Sequence, residues 1–242
     1  MRPAAAAFAA GLIVLGASGC ETTQEQSAKI ARTLGHQSAI AGTTRLGADN
    51  RDVRIEQEVL LTAAGQSAVA LKLTNTSTQT QTDFPVLIEV LDAKGSAVYR
   101  NNTSGIEPSI QQFALLAPHA TAWWVDNEVL ASGGVPKTAA GQLGAATAPA
   151  PSAIPSITTE AVSASDSFPG PHVSVTVRDR STIAQRQLPV YAVALRGGRV
   201  VGAGRGIIPS LAPGAAAQVQ IPIVGSVSES TISLAVPPTA SR

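Results

Sequence analysis

From Val53 onward, apolar side chains recur at every second residue. Val53, Ile55, Gln57, Val59 and Leu61 alternate with Arg54, Glu56, Glu58 and Leu60. A period of two marks a half-buried strand, because successive side chains leave a pleated backbone on opposite sides. Val69, Leu71 and Leu73 repeat the pattern and stop at Thr74-Asn75-Thr76-Ser77. Phe84, Val86, Ile88 and Val90 form a third run, ended by the turn Asp92-Ala93-Lys94-Gly95. Short strands follow at Ala97 to Arg100 and from about Thr121 to Val129, and the alternation returns at Val173, Val175 and Val177 and at Val219, Ile221 and Ile223. Many short strands between turn residues predict an antiparallel sandwich rather than an α/β fold.

Two stretches lack this period. Residues 20–50 read as a polar tether in which Gln24 to Leu34 could form a short helix, with Ile30 and Leu34 on one face. Residues 131–156 are rich in Gly, Ala, Ser, Thr and Pro, the composition of a linker that is flexible first and stiffer later. The expected organisation is an N-terminal segment at 1–19, a tether at 20–50, one β-sandwich domain at 51–130, a linker at 131–156 and a second β-sandwich domain at 157–242.

The two strand-rich regions resemble each other. Val69 to Leu73 aligns with Val173 to Val177 at an offset of 104 residues, as do Ser77-Thr78 with Ser181-Thr182 and Phe84-Pro85-Val86 with Leu188-Pro189-Val190. Leu116-Ala117-Pro118-His119 aligns with Leu211-Ala212-Pro213-Gly214 at an offset of 95, so the first copy carries nine extra residues before this turn. Internal duplication predicts two sandwiches of one design.

Composition narrows the function. Charged residues make up 14% of the chain and the net charge is +1, with no Lys/Arg run to attract nucleic acid. Residues 51–130 hold nine acidic and five basic side chains, against four and seven in residues 155–242. Opposite signs would favour docking of the two domains.

The start of the chain has a chemistry of its own. A single basic residue, Arg2, precedes an uncharged stretch from Ala4 to Leu15, and Gly16-Ala17-Ser18-Gly19 leads into Cys20, the sole cysteine. This is the layout of an export signal, and its apolar part is shorter than the roughly 20 residues a bilayer-spanning helix needs. Ala17-Ser18-Gly19-Cys20 resembles the bacterial lipobox, with Ala17 where that motif prefers Leu. The resemblance implies cleavage before Cys20, a thioether-linked diacylglyceryl group on its sulfur and further N-acylation in many bacteria. At least two acyl chains are needed for stable anchoring. Cys20 is thus the expected membrane contact, on the extracytoplasmic face of a cell-envelope membrane. Glu21 stands where the resembling Gram-negative lipoproteins carry Asp when they stay in the inner membrane.

The block of strands, the Val90-Leu91-Asp92-Ala93-Lys94-Gly95 turn and the Leu211-Ala212-Pro213-Gly214 turn together resemble the FxLYD-type immunoglobulin-like domains of bacterial lipoproteins. The family's Tyr is missing from the first motif, and His119 replaces the Gly of the second in copy one. The resemblance implies two immunoglobulin-like sandwiches with an accessory or binding role and carries no catalytic residues.

Catalytic motifs are not apparent, and no cofactor is implied. His36, His119 and His172 have no metal-ligand spacing, and Asp49, Asn50 and Asp52 read as a polar turn rather than a calcium loop. Asn75-Thr76-Ser77 and Asn102-Thr103-Ser104 match the glycosylation sequon and read as exposed polar turns. Trp123-Trp124 is the distinctive feature. The repeat aligns Trp124 with the inward Val219, and Trp123 and Val125 with Gln218 and Gln220, which puts Trp123 and Val125 on the outer face. They form either a surface for a protein or glycan partner or a face covered by the second domain or the tether. The function expected from these features is a non-enzymatic lipoprotein binding an envelope protein or polymer. The alternatives are a structural spacer and an enzyme, which would need a cluster of polar groups that the sequence does not display.

Overall fold

A computed structural model describes residues 46–103 and 105–239. Cys20 and the Gln24–Leu34 segment lie outside the described residues. Within them the protein is all-β, built from several antiparallel sheets with one 3-10 turn at Pro108–Ile110. None of the described helices is long and apolar enough to cross a membrane.

In the first half, β1 (Val53–Ala63), β2 (Gln66–Asn75) and β6 (Thr121–Asp126) form a sheet in the order β1-β2-β6. The opposing sheet centres on β3 (Gln81–Leu91), which pairs with β4 (Ala97–Arg100), β5 (Gln112–Leu116) and β7 (Thr138–Leu143). In the second half, β8 (Ile157–Ser165), β9 (His172–Asp179) and β12 (Ala216–Pro222) make a sheet in the order β12-β9-β8. The last sheet runs β13-β11-β10-β14, from β10 (Gln185–Arg196), β11 (Arg199–Leu211), β13 (Val224–Gly225) and β14 (Thr231–Ala235).

The pairing pattern repeats between halves. β2 lies between β1 and β6 as β9 lies between β8 and β12. Gln81 faces Leu116 in the β3–β5 ladder, and their repeat equivalents Gln185 and Leu211 face each other in β10–β11. The extra residues of the first copy appear as a detour through β4 and the 3-10 turn. The second copy instead folds back directly at Gly197-Gly198, whose φ values of 55° and 78° suit a tight two-residue hairpin.

Two expectations need correction. Residues 131–156 are not wholly linker, because β7 pairs along β3 from Val86 to Leu91, as β14 pairs along β10. Its sequence, Thr-Ala-Ala-Gly-Gln-Leu, has no branched or aromatic residue to announce a strand. Small residues suit this edge: a Cβ on Gly141 would lie 3.0 Å from both Ile55 Cδ1 and Leu71 Cδ1. The second correction concerns β1. A register shift between Ile55 and Gln57 sets Leu60 opposite Val69, and Val59 and Leu61 opposite Ala70 and Ala68. Val59 and Leu61 therefore leave the face of Val53 and Ile55, because one extra residue reverses the alternation beyond it.

Two apolar clusters result. One contains Val173, Val175, Val177, Leu188, Val190, Ala192 and Ile221 and lies within the second half. The other fills the first half around Leu71, Phe84, Phe113 and Trp124, and extends to Tyr191, Val193 and Ala203 of β10 and β11. The β1-β2-β6 sheet thus carries apolar cover on both faces, as the contacts of β6 with β10, β11 and β14 also show.

Candidate functional site

Trp124 is fully buried, as an inward residue should be, and Trp123 and Val125 point the other way. They are not an open surface. Trp123 is 6% exposed and Val125 0%, and both belong to the cluster that includes Tyr191, Val193 and Ala203. The second half covers them. Trp123 and Val125 share the face of β6 opposite Trp124; their covering is a tertiary fact that strand parity does not contain.

The junction also has an aromatic and an ionic part. Phe84, Phe113 and Tyr191 stack in series, with ring centroids 5.5 and 6.0 Å apart, so a tyrosine of the second half continues an aromatic row of the first. Beside it, the Arg205 guanidinium of β11 donates to Glu107 Oε2 (2.9 Å), Glu128 Oε1 (3.2 Å) and Ser109 Oγ (2.7 Å). Arg205 is thus the basic partner for the acidic first half that the charge asymmetry anticipated. Desolvation opposes both charges, but Ser109 and Arg205 still hold the Glu107 carboxyl below its ordinary value, and Glu107 in turn raises that of Arg205.

Nearby, the buried Tyr99 hydroxyl donates to Asp126 Oδ2 at 2.7 Å, while Asp126 Oδ1 accepts the Glu128 N–H at 2.9 Å. Burial raises Asp126, and burial followed by the Asp126 charge raises Tyr99. Burial also raises Tyr191. Glu107, Arg205 and Tyr191 lie at the joint between halves, and the Tyr99–Asp126 bond ties β4 to β6 within the first.

The other polar candidates take structural roles. Asn50 Oδ1 accepts the N–H groups of Asp52 and Val53, and its Nδ2 donates to Gly144 O, so the Asp49–Asp52 segment is a tied turn. His119 is an exposed turn residue with φ of 54°. His172 places Nδ1 2.8 Å from Gly170 O, and His36 lies outside the described residues. No group of three or more His, Cys, Asp or Glu side chains converges among the described residues. Asn75 departs from expectation: it is fully buried, not an exposed turn residue, because its amide clasps three backbone carbonyls.

The three most exposed large apolar side chains lie near one end, whereas Val162 on β8 and Ile154 before it are about half exposed elsewhere. Phe168 is 97% exposed in the β8–β9 loop, and Leu130 (77%) and Val135 (76%) follow β6. Asn127 Nδ2 donates to Pro222 O, and Ser132 N–H to Val98 O, which fixes the segment after β6 beside the ends of β12 and β4. Asp166 accepts from Ser226, Val227 and Ser228 and thereby anchors the β8–β9 loop; the Ser228 hydroxyl and the Val227 N–H hold its carboxyl below the ordinary value. Next to Phe168 a cavity of about 340 Å³ is lined by Gln66 from the β1–β2 turn, Pro169 to His172, Gln220, Pro222 and Ile223. Entry into β1 is at the opposite end, where Asp52 binds Thr76 and Gln81. Phe168 was missed in the sequence, although a lone aromatic inside Ser167-Phe168-Pro169-Gly170-Pro171 has little core to enter. Comparison with known proteins returns no matching family model and no matching curated protein.

Proposed function

We propose that this chain is a non-enzymatic lipoprotein of the bacterial cell envelope, anchored through acylated Cys20. Its two immunoglobulin-like sandwiches present the Phe168 end to an envelope protein or polymer. The observation that carries the reading is the nearly complete exposure of Phe168 beside a cavity walled by Gln66, the Pro169–His172 segment, Gln220, Pro222 and Ile223. A large aromatic left in water on an anchored loop is characteristic of contact surfaces, where aromatics contribute most of the binding energy. Anchoring is compatible with this geometry: the chain enters β1 at one end, and Phe168, Leu130 and Val135 stand at the other.

Crosslinking in the native envelope tests this. Phe168→Ala should leave thermal stability within about 0.5 kcal/mol of wild type, as for an exposed side chain, and should remove the crosslinked species. Unchanged crosslinks in the variant would overturn the binding surface. The buried junction favours a second reading, a rigid spacer, which predicts no crosslinked species to lose.

A further inference from the structure

The two copies of the repeat end their second strand at equivalent positions with different side chains. Asn75 closes β2 and Asp179 closes β9, and both are 0% exposed. Their N–H groups donate to equivalent carbonyls, Ala120 O and Ala215 O, at 3.0 Å each. Both Oδ1 atoms accept the N–H and hydroxyl of the serine two residues on: Ser77 at 3.0 and 2.9 Å, Ser181 at 2.7 Å for both bonds.

The remaining side-chain atom breaks the equivalence. Asn75 Nδ2 donates to Gln79 O (2.7 Å), Ala117 O (3.0 Å) and Leu116 O (3.2 Å). Asp179 offers Oδ2, which is buried and has no hydrogen-bond partner. At the equivalent positions, the carbonyls that Asn75 reaches become those of Ile183, Leu211 and Ala212. Gln185 replaces the missing donor at the first, with Nε2 2.8 Å from Ile183 O. The adjacent arginines do not help, because Arg178 and Arg180 both turn to Glu160. A buried carboxylate oxygen with no donor is costly unless a positive charge lies beside it.

We propose that this position is a cation site, in which a small hard ion bridges Asp179 Oδ2 and the carbonyl oxygens of Leu211 and Ala212. It takes the place that the amide N–H groups of Asn75 fill in the first copy. An all-oxygen donor set selects Na⁺ or Ca²⁺ over softer metals. A single carboxylate gives weak binding, of the order of the 10⁻⁴–10⁻³ M found for extracellular calcium modules.

The test compares melting of the purified protein in chelator and choline chloride with melting in Na⁺ or Ca²⁺. At about ten times Kd the wild type should gain roughly 3–6 °C, and the ion that produces the gain identifies which of the two binds. Asp179→Asn should restore the amide clasp, lose the gain and melt above wild type in chelator. Asn75→Asp should acquire a cation dependence of its own. A wild-type melting temperature unaffected by either ion, or a gain retained in D179N, overturns the proposal. If D179N does not fold, N75D decides: acquired dependence supports the site, and a cation-independent N75D removes it.

Discussion

Trp123 and Val125 on β6 occupy the places that Gln218 and Gln220 hold on β12, yet the first pair is buried and the second exposed. The strands are equivalent, with equivalent partners, β2 and β9. The difference lies beyond the sheet: β10 and β11 cover one outer face and solvent covers the other. Polarity on the outer face therefore records what each sheet docks against, whereas the inward residues, such as Leu71 and Val175, record the common design. The repeated pairing pattern thus gives a central sheet, β1-β2-β6, and a terminal one, β8-β9-β12.

Exchanging the polarity of these faces should produce the largest effect. Trp123→Gln with Val125→Gln gives the first copy the outer face of the second. Loss of that burial is expected to cost on the order of 4–6 kcal/mol, and to split a single unfolding transition into two as the halves uncouple. Gln218→Ala with Gln220→Ala, at the equivalent exposed places, should stay within about 0.5 kcal/mol. Denaturant melts followed by tryptophan fluorescence and by circular dichroism make the measurement. Coincident transitions in the first variant would show that the coupling does not depend on Trp123 and Val125.

Strand alternation and the repeat were readable because both depend on local side-chain period. They locate β2, β3, β6, β9 and β12. Three things were not readable for physical reasons. The bulge near Glu56 adds one residue, which reverses a face without changing composition. β7 is made of small residues because it approaches Ile55 and Leu71 closely. The covering of Trp123 depends on docking, and the one hint in the sequence was the charge asymmetry between the halves. For the candidate site, Cys20 rests on its own motif outside the described residues, while Phe168 is a loop residue that strand periodicity does not treat.

The ionic part of the junction should matter less than the apolar part. Arg205 is buried, but Glu107 and Glu128 are each about half in water (side chains 43% and 58% exposed) and can rehydrate when the guanidinium is removed. Arg205→Met is expected to cost about 1–3 kcal/mol near neutral pH. The pH dependence follows from two carboxyls of opposite sign. Glu107 is held below its ordinary value, so its contribution is present above that ordinary value and is lost as pH falls through the lowered one. Asp126 is raised, chiefly by burial, so its effect on stability is most favourable below its ordinary value and is lost as pH rises through the raised one. Arg205 favours both ionised forms. The gap between wild type and R205M should therefore be widest near neutral pH and close as pH falls through the carboxylate range. A gap that widens in acid would contradict this account of the junction.

The smallest effect should come from the one turn where the copies use different residues for the same backbone. His119 in Leu116-Ala117-Pro118-His119 has φ of 54°, and its counterpart Gly214 has φ of 73°. Both turns close with the N–H two residues past the proline donating to the alanine carbonyl before it: Ala120 to Ala117 O at 3.2 Å, Ala215 to Ala212 O at 3.0 Å. The left-handed conformation costs a residue with a Cβ roughly 1–2 kcal/mol, and glycine escapes that cost while giving up part of the gain as greater unfolded-state entropy. His119→Gly should therefore stabilise the first half by about 0.5 kcal/mol, and Gly214→His should destabilise the second by at least as much. His119 is exposed, so packing does not complicate the comparison. A destabilised H119G would mean that the imidazole does something for the turn that glycine cannot, and that the two turns are alike in backbone only.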